Sequence, residues 1–320
     1  MGLLKTYHIL IFVLSCVPQA STCQPGRQRN LAHMGIPHGN YSGITRVNDS
    51  LYAVVSDKDD TYAFHFLSID INKYSGKITD IKWTNPANGC NIASRDPEAI
   101  AYCQERNSFF IAGEADQRII EYSYDGLPTG KELSVPIEFA KENIQSNRGF
   151  ESLTYNSCHQ TFWTTTESPL KTDDNRLRIQ GFGLDLKPSV QIPYATDEPQ
   201  KRRKARMFVH GVTDLIATDD GTLIVMEREA CLATRYIGSY CTIKLYLTSL
   251  NPDASYTKTP IGSFTTKLQL GKMNFANYEG LCLGPKLNDG RQTIILISDS
   301  QGGMGNLLYR AKDYIRLIIL

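Results

Sequence analysis

The sequence has almost no net charge. Lysine and arginine number 34 against 33 for aspartate and glutamate, so no broad electrostatic surface for nucleic acid or an anionic membrane is expected. Helical periodicity is weak, and only FAKENIQ at 139–145 offers a turn or two. After the first residues, no apolar run approaches the length that crosses a bilayer. The cysteines lack CxxC spacing, which argues against a zinc site. No G-x-S-x-G, H-E-x-x-H, P-loop or G-x-G-x-x-G is present. The aspartates of SDKDDT lack the glycine and closing glutamate of an EF-hand loop. His65, His159 and the other histidines have no ligand spacing. A serine hydrolase, a zinc hydrolase and a dinucleotide enzyme therefore find no support.

What is present begins with a leader. Lys5 precedes an apolar run, Ile9 to Leu14, too short to span a membrane. The run ends in Val13-Leu14-Ser15-Cys16, which resembles a lipobox with an atypical leucine in its third position. Residues 1–22 are therefore read as a signal peptide, lipidated at Cys16 or cleaved as an ordinary secretory signal. The expected location is secreted, periplasmic or outer-membrane lipoprotein, with no membrane contact beyond that lipid. Export permits disulfides. Cys231 and Cys241 flank an expected interstrand loop and form the best-placed pair, whereas Cys282 lies in an apolar strand and should pack as a buried thiol. Apolar residues make up 41% of the 320, enough for a large core.

The body of the chain repeats. RDPEAIAY at 95–102, NRGFESLTY at 147–155 and ANYEGLCLG at 276–284 each put a glutamate before an apolar strand. Two weaker copies, YSGITRVNDSLYAVVSD and HGVTDLIATDDGTLIVMERE, complete a register through Ile44, Ile100, Leu153, Leu215 and Leu281. Each copy continues through a polar turn into LYAVVS, SFFIAG, TFWTTT, TLIVME or TIILIS, a hairpin signature. Two more strand-like runs follow in the first four copies, RIIEYSY and LSVPIEF in the second. The fifth copy supplies only three strands, and RNLAHMGIP, before the first copy, offers the fourth. These features predict an all-β propeller over residues 28–320. It has five blades, with six left open by the longer intervals, and the N-terminal strand closes the ring.

In that geometry the first strand of each blade lines the axis, so Glu98, Glu151 and Glu279 converge at one mouth of the channel. Asp214 and Ser42 lie nearby. The hairpin strands return to the same face with Asp57, Glu114, Glu167, Glu227 and Asp299 as an outer acidic ring, and Arg228, directly after Glu227, could neutralise part of it. Converging carboxylates call for a cation or protons, and oxygen donors suit Ca²⁺. Glu98, Glu151, Glu279, Asp214 and Asp299 are the candidate metal ligands, and Glu98, Glu151 and Glu279 the candidate catalytic groups. The glutamates could instead latch neighbouring blades through backbone N–H groups, or bind a cationic or polyol ligand without metal. KRRKAR at 201–206, with Lys201, Arg202 and Arg203, opens onto the same face. With Arg95, Arg148 and His210 it is either a solvated loop or an anion clamp.

The ordered set YSGIT with YAVVSD, DPEAIAY with FIAGE, RGFESLTY with TTTES, GVTDL with DGTLIVMERE, and YEGLCLG with ISDS resembles the phytase-like domain family, also labelled esterase-like activity of phytase. The resemblance spans about residues 35–310. It implies an exported, often lipid-anchored propeller and suggests phosphoester hydrolysis. Propeller phytases use clustered carboxylates, several Ca²⁺ ions and basic residues, but no catalytic residue carries over by position. The expected function is calcium-assisted hydrolysis of a small phosphoester by a monomer. The rivals are a non-catalytic surface module binding a glycan or protein, and a calcium-dependent lactonase or esterase.

Overall fold

A computed structural model describes residues 23–199, 205–250, 256–305 and 309–320. The leader with Cys16, and Lys201, Arg202 and Arg203, lie outside the described residues. The alternating apolar runs form antiparallel strands, grouped into five sheets around one axis. Blade 1 consists of Tyr41–Arg46, Leu51–Ser56, His65–Asn72 and Lys77–Thr84. Blade 2 is Pro97–Cys103, Ser108–Gly113, Arg118–Ser123 and Pro128–Glu132. Blade 3 is Phe150–Asn156, Thr161–Thr166, Arg176–Gly183 and Pro188–Ala195. Blade 4 is Met207–Ala217, Leu223–Leu232, Ser239–Leu250 and Tyr256–Gln269, with a short Lys272–Met273 edge. Blade 5 begins with Asn277–Leu283, Thr293–Asp299 and Tyr314–Ile319.

The N-terminal segment completes blade 5, as expected, but in two pieces. Gln24–Pro25 and Arg29–Asn30 pair with Tyr314–Ile319. The rest of the expected strand turns into a 3-10 segment, Leu31–Met34, because the Asn30 side chain caps the Ala32 amide at 3.1 Å. Leu31 is then fully buried in the seam between blades 5 and 1. LSVPIEF is likewise not a strand. Blade 2 ends on Pro128–Glu132, and Ile137–Phe139 is a single 3-10 turn after Pro136 that drops Phe139 into the seam between blades 2 and 3. Lys141–Asn143 supplies the short turn expected near 139–145.

The core is a ring of five apolar clusters, one in each seam between blades. Between blades 1 and 2, for example, Val55, Phe64, Ile100 and Phe109 pack together. Each such buried side chain contributes about 1.5–3 kcal/mol, and together they fix the blades radially. Cys282 is buried as expected. The proposed Cys231–Cys241 bridge is not formed. Ala230 stands opposite Cys241 and Cys231 opposite Tyr240, so the two thiols leave opposite faces of one sheet.

Five blades leave little room at the axis. A Cβ on Gly43 would lie 2.9 Å from the Glu98 carbonyl oxygen, and one on Gly280 would lie 2.8 Å from the Ser42 carbonyl oxygen. Glycine therefore lets the inner strands of blades 5, 1 and 2 approach. The equivalent residues in the other blades are Ala99, Ser152 and Asp214. Asp214 uses the room its small counterparts leave. Its carboxylate accepts from the amides of Leu281 at 2.7 Å and Leu215 at 2.8 Å, which ties blade 4 to blade 5. Asp214→Ala strands both buried amides, so a loss of about 2–3 kcal/mol in denaturant unfolding is expected. Asp214→Asn, which keeps one acceptor, should lose less. Equal stability of Asp214→Ala and the parent would contradict the latch.

Candidate functional site: an acidic axial pocket

The repeated glutamate owes its position to a backbone irregularity. Every inner strand skips one residue in its pairing with the second strand, and the skipped residues are Ser42, Glu98, Glu151, Thr213 and Glu279. Such a bulge bends the strand and re-aims the side chain. Four of the five line a cavity of ≈ 350 Å³ at one mouth of the channel; Thr213 does not line it and is fully buried, its hydroxyl without a hydrogen bond.

The outer ring differs from the expectation at one station. The six-residue runs LYAVVS, SFFIAG, TFWTTT and TLIVME are followed by Asp57, Glu114, Glu167 and Arg228, and the run TIILIS by Asp299. The fourth member is therefore Arg228. Glu227 pairs one residue earlier, across from Val212, and lies on the other face of the sheet. There it accepts from Tyr194 Oη at 2.7 Å, Lys258 Nζ at 2.6 Å and the Asp197 amide at 3.0 Å, fastening blade 3 to blade 4.

Arg228 organises one side of the pocket. It reaches Glu167 at 2.8 Å, Glu279 at 2.6 Å and Asn277 Oδ1 at 3.0 Å. Arg148 also pairs with Glu167, and Asn277 donates to Glu279 at 2.7 Å. Burial opposes the Arg228 charge, but Glu167 and Glu279 outweigh it and raise its pKa above the ordinary guanidinium value. Glu114 accepts from the Gly149 amide at 2.8 Å and so joins blades 2 and 3. Asp299 accepts from the Gln301 amide at 2.6 Å and from the Gln301 side chain.

The opposite side has no comparable cation. Asp57, Asp96 and Glu98 place carboxylate oxygens within 4.8 Å of one another. Asp57 Oδ2 contacts Lys58 at 2.5 Å, while its buried Oδ1 has no hydrogen bond. Glu98 and Glu151 make no side-chain hydrogen bond among the described residues. Burial, reinforced by neighbouring carboxylates, pushes Glu98, Glu151 and Asp299 well above the usual carboxylate range. Glu279 is raised to about 7, burial outweighing the opposing Arg228 charge.

The other candidate residues fall elsewhere. Asp214 caps backbone amides below the pocket. Arg95 is engaged inside blade 2 by Asp116 at 2.7 Å, Tyr122 Oη at 3.1 Å and the Arg118 carbonyl at 2.8 Å. His210 pairs across from Glu229, on the face that carries Glu227. Arg148 does line the pocket. Sequence reasoning named Arg228 as a neutraliser of the ring but not as its fourth member, and it missed Asp96, Lys58 and Asn277 as pocket residues. A strict count of six residues from the start of each second strand would have found Arg228. Asp96 and Asn277 each stand two residues before a bulged glutamate.

The family model described as "Phytase-like: Esterase-like activity of phytase" matches residues 36–301. No curated protein matches the chain. Among solved structures, an endo-arabinase from Bacteroides thetaiotaomicron is similar at 12% identity and TM-score 0.48, over 88% of this chain and 94% of that one. A tail fiber of Staphylococcus aureus phage P68 is similar at 11% identity and TM-score 0.43, over 92% of this chain and 53% of that one. A nidogen/laminin complex is similar at 12% identity and TM-score 0.35, over 73% of this chain and 88% of that one.

The raised carboxyls set a pH dependence. A carboxyl whose folded pKa exceeds its unfolded value takes up a proton on folding between the two. For Glu279 the contribution is complete below about 4.3 and is lost as pH rises through about 7. With calcium chelated, the Glu279 contribution to unfolding stability should therefore fall between about pH 4.3 and 7, by up to about 1.4 kcal/mol per pH unit. Glu279→Gln should flatten that slope. Denaturant titrations across this range check it, and an unchanged slope in the variant would count against the assignment.

Proposed function

The chain belongs to the phytase-like family, and on that premise we propose that its axial pocket hydrolyses a phosphoester with the help of a bound calcium ion. The observation that carries the reading is the Asp57, Asp96 and Glu98 cluster, three carboxylates with Lys58 as the one paired cation among the described residues and a buried Asp57 oxygen that lacks a hydrogen bond. An all-oxygen donor set of this kind fits Ca²⁺ rather than zinc. Asp57, Asp96 and Glu98 would hold the ion, with Glu151 beside them. Bound there, calcium supplies positive charge to a phosphoryl oxygen and acidifies water.

The chain's own groups do the rest. Glu151 faces the cavity without a hydrogen bond, and its pKa is raised by burial and then by Glu98 and Glu167. A carboxyl so placed, open to the cavity and free of other hydrogen bonds, is the group positioned to take or give a proton there. Lys58 and Arg148 stand at the pocket with partly exposed side chains and offer charge to a phosphate. Arg228 holds Glu167 and Glu279 apart from that task by pairing with both. That pairing also favours a second reading, a non-catalytic ligand-binding propeller, because part of the acidic ring is neutralised from within. Export, expected from the leader, would expose the site to calcium-rich surroundings.

Calcium should raise the melting temperature by several degrees over the chelated protein at pH 7.5, and Asp57→Asn with Glu98→Gln should remove the shift. p-Nitrophenyl phosphate should be cleaved only with calcium, and Glu151→Gln should slow it by about 10²–10⁴-fold. Simple lactones, assayed alongside, separate the esterase alternative. No calcium shift would remove the ion from the account. A shift without turnover of any ester would leave the binding module.

A further inference from the structure

The pocket has one apolar wall, and it comes from a departure of blade 4 from the repeat. In the other blades the first two strands are 6 or 7 residues long. In blade 4 they run 11 and 10 residues. At the level of the ring, Gly211 pairs with Arg228, and the pairing then continues through His210–Glu229, Val209–Ala230, Phe208–Cys231 and Met207–Leu232. This two-stranded ribbon stands roughly 13 Å beyond the ring, at about 3.3 Å per residue.

Side chains alternate between its faces. Met207, Val209, Ala230 and Leu232 share the face of Arg228 and line the pocket, and Phe275 and Met304 complete the wall. Met207 is 43% exposed at the outer end of the ribbon, so it is not needed to fill the core. The acids of blades 1 and 2 stand on the other side of the same cavity.

We infer that this ribbon seats the apolar part of the substrate, so that the pocket takes an aryl or alkyl phosphomonoester rather than a polyphosphorylated polyol. The inference rests on the phosphoester reading above and adds the nature of the alcohol. A polyol carrying several phosphates needs a cation for each. Among the described pocket residues, Arg228 is committed to Glu167 and Glu279, which leaves Lys58 and Arg148 to share one phosphate and no cation for the others. Phosphates laid against Met207, Val209 and Leu232 would lose water and gain no partner. An aromatic or alkyl group placed there gains by leaving water.

The test uses ligands that cannot be cleaved. The calcium-loaded protein is titrated calorimetrically with 1-naphthylphosphonate and with methylphosphonate. The naphthyl compound should bind about tenfold more tightly, from the apolar area it covers on a half-open wall. Met207→Gln should remove most of that preference and leave methylphosphonate unchanged, and Val209→Thr, which keeps the side-chain shape, should reduce it. Equal affinities, or a preference that survives both substitutions, would overturn the inference while leaving the phosphoester site standing. Binding of neither phosphonate in the presence of calcium would overturn the phosphoester reading itself, and the inference with it.

Discussion

Mutual repulsion among carboxylates governs this structure. Blades far apart in sequence each deliver an acid to one narrow mouth, and ionised groups so close together favour neutral forms or a bound cation. Arg228 relieves half of the problem. Buried between blades, it bonds to Glu167 of blade 3 and Glu279 of blade 5. Removing such a guanidinium would leave buried charges uncompensated, which costs more than the pair itself contributes. The other half, around Asp57, Asp96 and Glu98, has only Lys58 beside it. The pocket is thus polarised into a self-neutralised side and one where three carboxylates share a single lysine among the described residues.

The backbone makes that arrangement possible in two steps. Bulges aim the inner acids toward the mouth, and the residue after each bulge is small except in blade 4. Gly43, Ala99, Ser152 and Gly280 leave the space that the Asp214 carboxylate fills. One aspartate thereby ties the axis together beneath the acids through hydrogen bonds to amides. The same residue type serves two ends: where amides are in reach a carboxylate becomes a structural acceptor, and where they are not it remains available to a ligand.

Blade 4 breaks the symmetry. Its longer hairpin adds an apolar wall above Arg228. Its other face carries Glu227 into a cluster with Tyr194, Lys258 and Asp197 that binds it to blade 3. An exposed ribbon that forms a pocket wall has to be held from behind, and this cluster stands at its base. A pocket wall and blade docking therefore arise from the two faces of one strand pair.

The sequence by itself determined the propeller, the ring closure by both termini and the convergence of Glu98, Glu151 and Glu279, and it left five blades against six to the structure. Strand alternation and a repeated register are local properties that survive in the order of residues. It also carried the position of Arg228, one residue beyond the glutamate read as a ring member, since a shift of one along a strand exchanges its faces. Only the tertiary structure decided which acids stay uncompensated. Asp214 and Asp299 look alike in sequence, yet one meets two backbone amides of its own and the neighbouring strand and the other faces the cavity. Arg95 and Arg148 both precede an inner strand, yet one turns into blade 2 and the other to the pocket. Those differences depend on which partner lies across a seam, and partners separated by tens of residues are brought together only when the ring closes.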